Sequence, residues 1–179
     1  MIKSLFLYIP LFALLTACSA PEIERTIPSE FLGGERPAPE NEFTGWVSLE
    51  KALANGSENN KKILVNVYTD WCGYCRQMDE EVYTKERVQD ALDEHYYAVR
   101  INAESSETVV FNGQTMSMRD LAMGLGATGY PTTIFLTQDG EPLAFQPGFI
   151  DSSTFERLLV YVGIEAYEDN VSFDQFRLD

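Results

Sequence analysis

The stretch "TDWCGYCRQM", Thr69–Met78, sets Cys72 and Cys75 on either side of a Gly-Tyr dipeptide, with a tryptophan before the first and a helix-like run after the second. It follows "ILVNVY", Ile63–Tyr68, a continuous β-branched run of strand length, the pattern of a strand buried on both faces of a sheet. The cysteines therefore stand at a strand-to-helix junction. Three chemistries use such a pair: a metal clasp, a structural bridge and a redox dithiol. Zinc asks for about four protein ligands in a structural site and three in a catalytic one. Beyond this pair the chain offers one cysteine, Cys18, and one histidine, His95, so no metal is expected. A bridge closing so short a loop would constrain the unfolded chain by only about 2 kcal/mol. The redox reading has a mechanism that suits the position. A helix N-terminus directs free N–H groups and partial positive charge at Cys72, which lowers its pKa and makes it the nucleophile. Cys75, one turn on and less exposed, would resolve the mixed disulfide formed on Cys72 and leave the two cysteines joined.

Outward from this stretch the chain alternates between helix and strand patterns. Trp46–Leu53 spaces its apolar residues as a short amphipathic helix. "RQMDEEVYTKERVQDALDEH" reads as one long or broken helix, and Tyr96–Asn102 as a second strand. Ser117–Leu125 predicts a helix ended by Gly124 and Gly126, and Thr132–Thr137 a third strand. Gln138-Asp139-Gly140-Glu141 is a hairpin signal with "PLAFQPGF" as the return strand. "SSTFERLLVYVG" predicts a helix with Ser153 and Glu156 as its capping box. The acidic tail carries Tyr167, Phe173 and Phe176 on a short packed helix. His95, before a strand, reads as a surface residue at a helix end. The order gives an α/β fold, a mixed sheet with helices on its faces.

Residues 46–163 resemble the thioredoxin-like family, specifically its lipoprotein or periplasmic thioredoxin-related members. The matching features are "ILVNVYTDWCGYC", the charged helix behind it, and "GATGYPTTIFLTQDGEPLAFQPGF". The resemblance implies a three-layer sandwich with a central mixed sheet of four or five strands. It implies that Cys72 and Cys75 are catalytic, with Gly73 and Tyr74 between them, and that the Tyr130–Pro131 bond is cis and abuts the pair. Tyr130 would line a groove where a substrate chain pairs as an added strand, and Trp71 would shield the reactive sulfur. Three departures stand out. Asn66 occupies the place of a buried aspartate that accepts a proton from the second cysteine in thioredoxin. Arg100 stands where a lysine lies nearby, and it cannot release a proton. Glu104–Met118 is longer than thioredoxin's connection and resembles an insertion of the thioredoxin-related branch. The Gly-Tyr dipeptide resembles that of the periplasmic disulfide isomerase, whose dimerisation domain has no counterpart in this sequence.

The ends and the charge set the compartment and partners. Lys3, an apolar run over Leu5–Leu15 and small residues after it have the layout of a secretory signal peptide, assigned to residues 1–17. "LTAC", Leu15–Cys18, resembles the lipobox of bacterial lipoproteins, which implies lipid on Cys18 and anchorage at ~0.8 kcal/mol per buried CH₂. Residues 18–42, rich in Pro, Gly and charge, read as a flexible tether, and residues 43–179 as the globular domain. The net charge of −15 argues against nucleic acid, whose phosphates it would repel, and against lying flat on anionic lipid. The expected protein is a membrane-tethered thiol–disulfide oxidoreductase in the bacterial cell envelope, facing an extracytoplasmic space. It would reduce protein disulfides, with electrons from a membrane partner, as a monomer with no cofactor beyond its own cysteine pair. The alternatives are an isomerase or oxidase of the envelope and a redox-idle binding adaptor.

Overall fold

The computed structural model describes residues 42–178. The expected signal peptide, Cys18 and all but the last residue of the tether lie outside the described residues. Along the chain run β1 (Trp46–Val47), α1 (Leu49–Asn59), β2 (Lys62–Tyr68), α2 (Gly73–Glu81), α3 (Glu86–His95), β3 (Tyr96–Asn102), β4 (Thr108–Phe111), β5 (Gln114–Ser117), α4 (Met118–Gly124), β6 (Thr132–Leu136), β7 (Pro142–Pro147) and α5 (Ser152–Gly163). Five strands form one sheet in the order β1–β3–β2–β6–β7, and β4–β5 form a separate hairpin. β1, β3 and β2 are parallel, while β6 and β7 each run antiparallel to their neighbour.

β2 is the central strand, and its unbroken apolar run reflects burial on both sides. Ile63, Val65 and Val67 face one layer, where they meet Leu49 and Ala52 of α1 and Leu121 and Ala122 of α4. Leu64 faces the other layer, with Met78 of α2, Val88 and Leu92 of α3, and Phe155 and Leu159 of α5. Each fully buried aliphatic side chain contributes about 1.5–3 kcal/mol. The two clusters are therefore what holds helices to both faces, and the result is the expected thioredoxin-like three-layer α/β sandwich. The register Val67–Thr132 puts the start of β6 beside the end of β2. The residues just before β6 and just after β2 thus lie at the same sheet edge.

Four elements differ from the sequence reading. Trp46 is not helical: it pairs in parallel with Ala98 as the edge strand β1. The helix starts later because Ser48 caps it, its Oγ accepting from the Lys51 N–H at 3.2 Å. The charged run, by contrast, takes the broken form that the sequence allowed, with Val82 ending α2 and Tyr83 turned fully inward before α3 begins. The long connection after β3 holds the β4–β5 hairpin. Asn112 and Gly113, both at positive φ (50° and 74°), make its turn, and Val109 and Phe111 pin it to the core. α5 is capped by Asp151 and not by a Ser153–Glu156 box. Asp151 Oδ1 accepts from the backbone N–H groups of Ser153 and Thr154, both at 3.1 Å. The tail forms turns instead of a helix, with Tyr167, Phe173 and Phe176 gathered round the Tyr161 ring at 6.2, 5.4 and 5.3 Å.

The side-chain and backbone bonds from Ser153 and Thr154 hold the Asp151 carboxyl down at about 2. A depressed folded-state pKa stabilises the protein above the unfolded value of ~3.9, and the gain is lost as pH falls through about 2. Asp151→Ala should cost about 1 kcal/mol at pH 7. In urea unfolding its deficit against the parent should narrow between pH 4 and pH 2; a deficit constant across that range would contradict the capping role.

Candidate active site

Cys72 and Cys75 are joined, with their sulfurs 2.07 Å apart and their Cα atoms 5.3 Å apart. Cys72 is the N-cap residue of α2: its backbone is extended, and its Sγ accepts the Cys75 N–H at 3.1 Å. The Cys72 N–H donates to the Thr69 carbonyl at 3.1 Å, and its own carbonyl receives the Arg76 N–H at 3.2 Å, so both sides of the junction are tied. A sulfur held at this point receives one of the orphan N–H groups of a helix start. Negative charge on Cys72 would be stabilised by the same N–H and by the helix dipole. The expected contrast in exposure is absent: Cys72 is 4 % exposed and Cys75 3 %. In the disulfide both sulfur-bearing residues are covered, because Cys72 is folded back against the first turn of α2.

The proline loop lies at the same edge. The Tyr130–Pro131 bond is cis. Pro131 is buried, and its carbonyl accepts the Gly148 N–H at 2.8 Å. Thr132 Oγ1 donates to the Gly129 carbonyl at 2.7 Å, which closes the loop from the other side. The Trp71 ring meets Tyr130 edge-on at 6.0 Å, so the loop and the Trp-Cys segment are in contact. Trp71 is 66 % exposed, so its ring is not part of the core. Tyr74 is as exposed, at 64 %, and its ring lies 6.4 Å from Phe149. Trp71, Tyr74, Tyr130 and Phe149 thus frame the disulfide with apolar surface. The sequence placed Phe149 only at the end of the return strand; it joins the site because β7 stops at Pro147 and the next residue, Gly148, is tied to Pro131. Gly73 opens α2 beside open space, where an added Cβ would meet only the tip of Arg76 at 3.9 Å.

Beneath the disulfide, α2 faces a small polar interior. Asn66 is buried, and its Nδ2 donates to Tyr83 Oη at 2.7 Å, while Asn66 Oδ1 has no hydrogen-bond partner among the described residues. Tyr83 also bonds the Thr133 hydroxyl, and burial pushes its phenol up, so it stays neutral. Rings of Phe43, Trp46 and Phe155 surround it. Arg100, the register partner of Asn66 on β3, donates from Nη2 to Asp79 Oδ2 at 2.6 Å. Its guanidinium lies over the Tyr68 ring at 4.2 Å and near that of Trp46 at 5.6 Å. Asp79, on α2, is pushed above the ordinary carboxylate value by burial, against the pull of Arg100. Among the described residues no three His, Cys, Asp or Glu side chains gather to hold a metal ion. His95 ends α3 at the start of β3, the far end of the sheet from the disulfide. It stands at a helix end as expected but is half-buried instead of exposed: its ring is packed against Gly163 and Tyr96, and loss of solvent lowers its pKa.

A strand–Cys-x-x-Cys–helix junction facing a cis-proline loop on a five-stranded mixed sheet defines the thioredoxin type of fold and site. Residues 49–163 match the model of the thioredoxin-like domain, and the chain belongs to that family. It is 29 % identical over 110 residues to the thiol:disulfide interchange protein DsbD of Salmonella paratyphi A, and 28 % identical to that of Escherichia coli. The first of these matches covers 60 % of this chain and 17 % of its relative, so this chain aligns with a minor part of that protein. Among solved structures, a thioredoxin-fold protein from Helicobacter pylori superposes with a TM-score of 0.57 at 21 % identity, over 76 % of this chain and 85 % of its own. A thioredoxin from Thermus thermophilus superposes at 0.56 with 18 % identity, over 74 % and 97 %. These structures share the fold.

Tyr83→Phe would leave the Asn66 amide buried without its acceptor. It should cost about 1–3 kcal/mol, seen as a lower urea midpoint with an unchanged slope. A midpoint equal to the parent's would show that the Asn66–Tyr83 bond carries no stability.

Proposed function

We propose that this chain is a thiol–disulfide oxidoreductase tethered to the cell envelope through lipid on Cys18, facing an extracytoplasmic space and reducing disulfides in other proteins. The observation that carries the reading is the Cys72–Cys75 disulfide, whose Cys72 sulfur accepts the Cys75 N–H in the first turn of α2 and which is set at the same sheet edge as the cis-Pro131 loop. The similarity to DsbD supports a cell-envelope setting and exchange with other thiol proteins. No described helix is long and apolar enough to cross a membrane, and the tether is assigned to the sequence before the domain.

The reaction runs in two displacements. The Cys72 thiolate attacks one sulfur of the substrate disulfide. A Cys72–substrate bond forms, and the other substrate sulfur leaves with the electron pair and takes a proton. Cys75 then attacks Cys72 Sγ, the bond to the substrate breaks, and the second substrate sulfur leaves as a thiol. The substrate gains two electrons and two protons, and the Cys72–Cys75 disulfide remains. A dithiol donor at the membrane restores the pair for the next cycle. The exposed rings of Trp71 and Tyr74 and the half-buried ring of Tyr130 seat the substrate chain beside Cys72, and the backbone next to Pro131 pairs with it as an added strand.

Cys75→Ser should trap substrates as mixed disulfides on Cys72 in intact cells, released by reductant and absent in Cys72→Ser. Envelope fractions in which Cys75→Ser captures nothing would contradict the reading. Cys18→Ala should move the protein from the membrane to the soluble fraction.

A further inference from the structure

Thiol exchange needs a group that takes the proton of Cys75 as that sulfur attacks Cys72. The amide of Asn66 cannot do so. The inward stripe of α2 carries Cys75 and Met78, both buried, and then Asp79, whose side chain is 27 % exposed. Residues four apart on a helix are neighbours, with ~5–6 Å between Cβ atoms. Helical side chains lean toward the N-terminus, so Asp79 leans over the turn that holds Cys75. Glu80 and Glu81, the other acids of α2, are exposed on the outer side. Arg100 fixes Asp79 through Oδ2, and Arg100 is itself held against the Tyr68 ring.

We propose that Asp79 is the proton acceptor for the Cys75 thiol in the resolving step, directly or through one water, and that Arg100 positions it. The proton leaves Cys75 Sγ for Asp79 as the Cys72–Cys75 bond forms and the Cys72–substrate bond breaks. Asp79 then passes it to solvent through its exposed edge. The carboxyl is raised above its ordinary value, chiefly by burial, which strengthens it as a base; Arg100 on β3 acts in the opposite direction. Glu42 before β1 and the neighbouring Glu80 raise it further, and Tyr83 faces it as a neutral phenol.

This rests on the oxidoreductase reading, and one experiment separates the two. The reduced chain is mixed with excess of the aromatic disulfide dithiobis-nitrobenzoate. Attack by Cys72 releases one coloured thiolate, and attack by Cys75 on the adduct releases a second. Asp79→Asn should leave the first phase within about twofold and slow the second at least tenfold at pH 7, in keeping with general-base contributions of 10²–10⁴. Its second phase should then climb with pH, having lost the carboxyl inflection of the parent profile, and Asp79→Glu should restore both rate and inflection. A second phase equal to the parent's, or one slowed equally at every pH, would overturn the proposal. Should Asp79→Asn fail to fold, the carboxyl carbon of Asp79 is titrated by NMR in the parent protein. Different midpoints in the dithiol and disulfide forms support coupling to Cys75; identical midpoints overturn it. A parent protein releasing no thiolate in either phase would instead sink the oxidoreductase reading.

Discussion

The bond from the Cys75 N–H to Cys72 Sγ, at the first turn of α2, is the interaction on which the rest of the site depends. It exists because a strand ends and a helix begins within four residues, Thr69 to Cys72. β2 can stop there because its apolar residues are consumed on two faces, and past the buried Thr69 the chain comes to the surface at Asp70 and Trp71. The helix then presents unpaired N–H groups at the point where the sulfur lies. Every other feature of the site serves to keep that point fixed or to bring a substrate to it.

The sheet supplies the second half of the site by topology. β6 runs antiparallel to β2, so the loop before it returns to the edge from which Cys72 emerges. Gly148, after β7, ties that loop down through the Pro131 carbonyl. Three stretches far apart in the chain thereby meet: Trp71–Cys75, Tyr130–Pro131 and Gly148–Phe149.

Much of this was legible in the sequence, and the reasons are local. Ile63–Tyr68 declares a central strand because burial on both faces leaves no polar alternation. The Trp-Cys-Gly-Tyr-Cys run and the Tyr-Pro-Thr-Thr run carry their own chemistry at short range. The failures were equally physical. Trp46 looked helical because an edge strand two residues long has no periodicity to read, and only the facing Ala98 makes it a strand. The Ser153–Glu156 box lost to Asp151, two residues earlier, where a carboxylate reaches two N–H groups at once. The β4–β5 hairpin carried a readable Asn-Gly turn, but its strands are four residues each and their alternation is weak. Of the polar interior, Asn66 and Arg100 stood out through the resemblance, but their partners Tyr83 and Asp79 could not be read, since the group is assembled from two strands and from α2 with the turn that follows it. Equal burial of the two cysteines was hidden for the same reason.

The central claim is that a helix start keeps Cys72 ionised near neutral pH while Cys75 stays a thiol. Its most direct measurement is the pH dependence of alkylation of each cysteine in the reduced protein, followed by mass spectrometry. The account predicts that Cys72 is modified first, with a midpoint well below the free-cysteine value of about 8.5. A midpoint at or above that value, or equal rates at both cysteines, would contradict it.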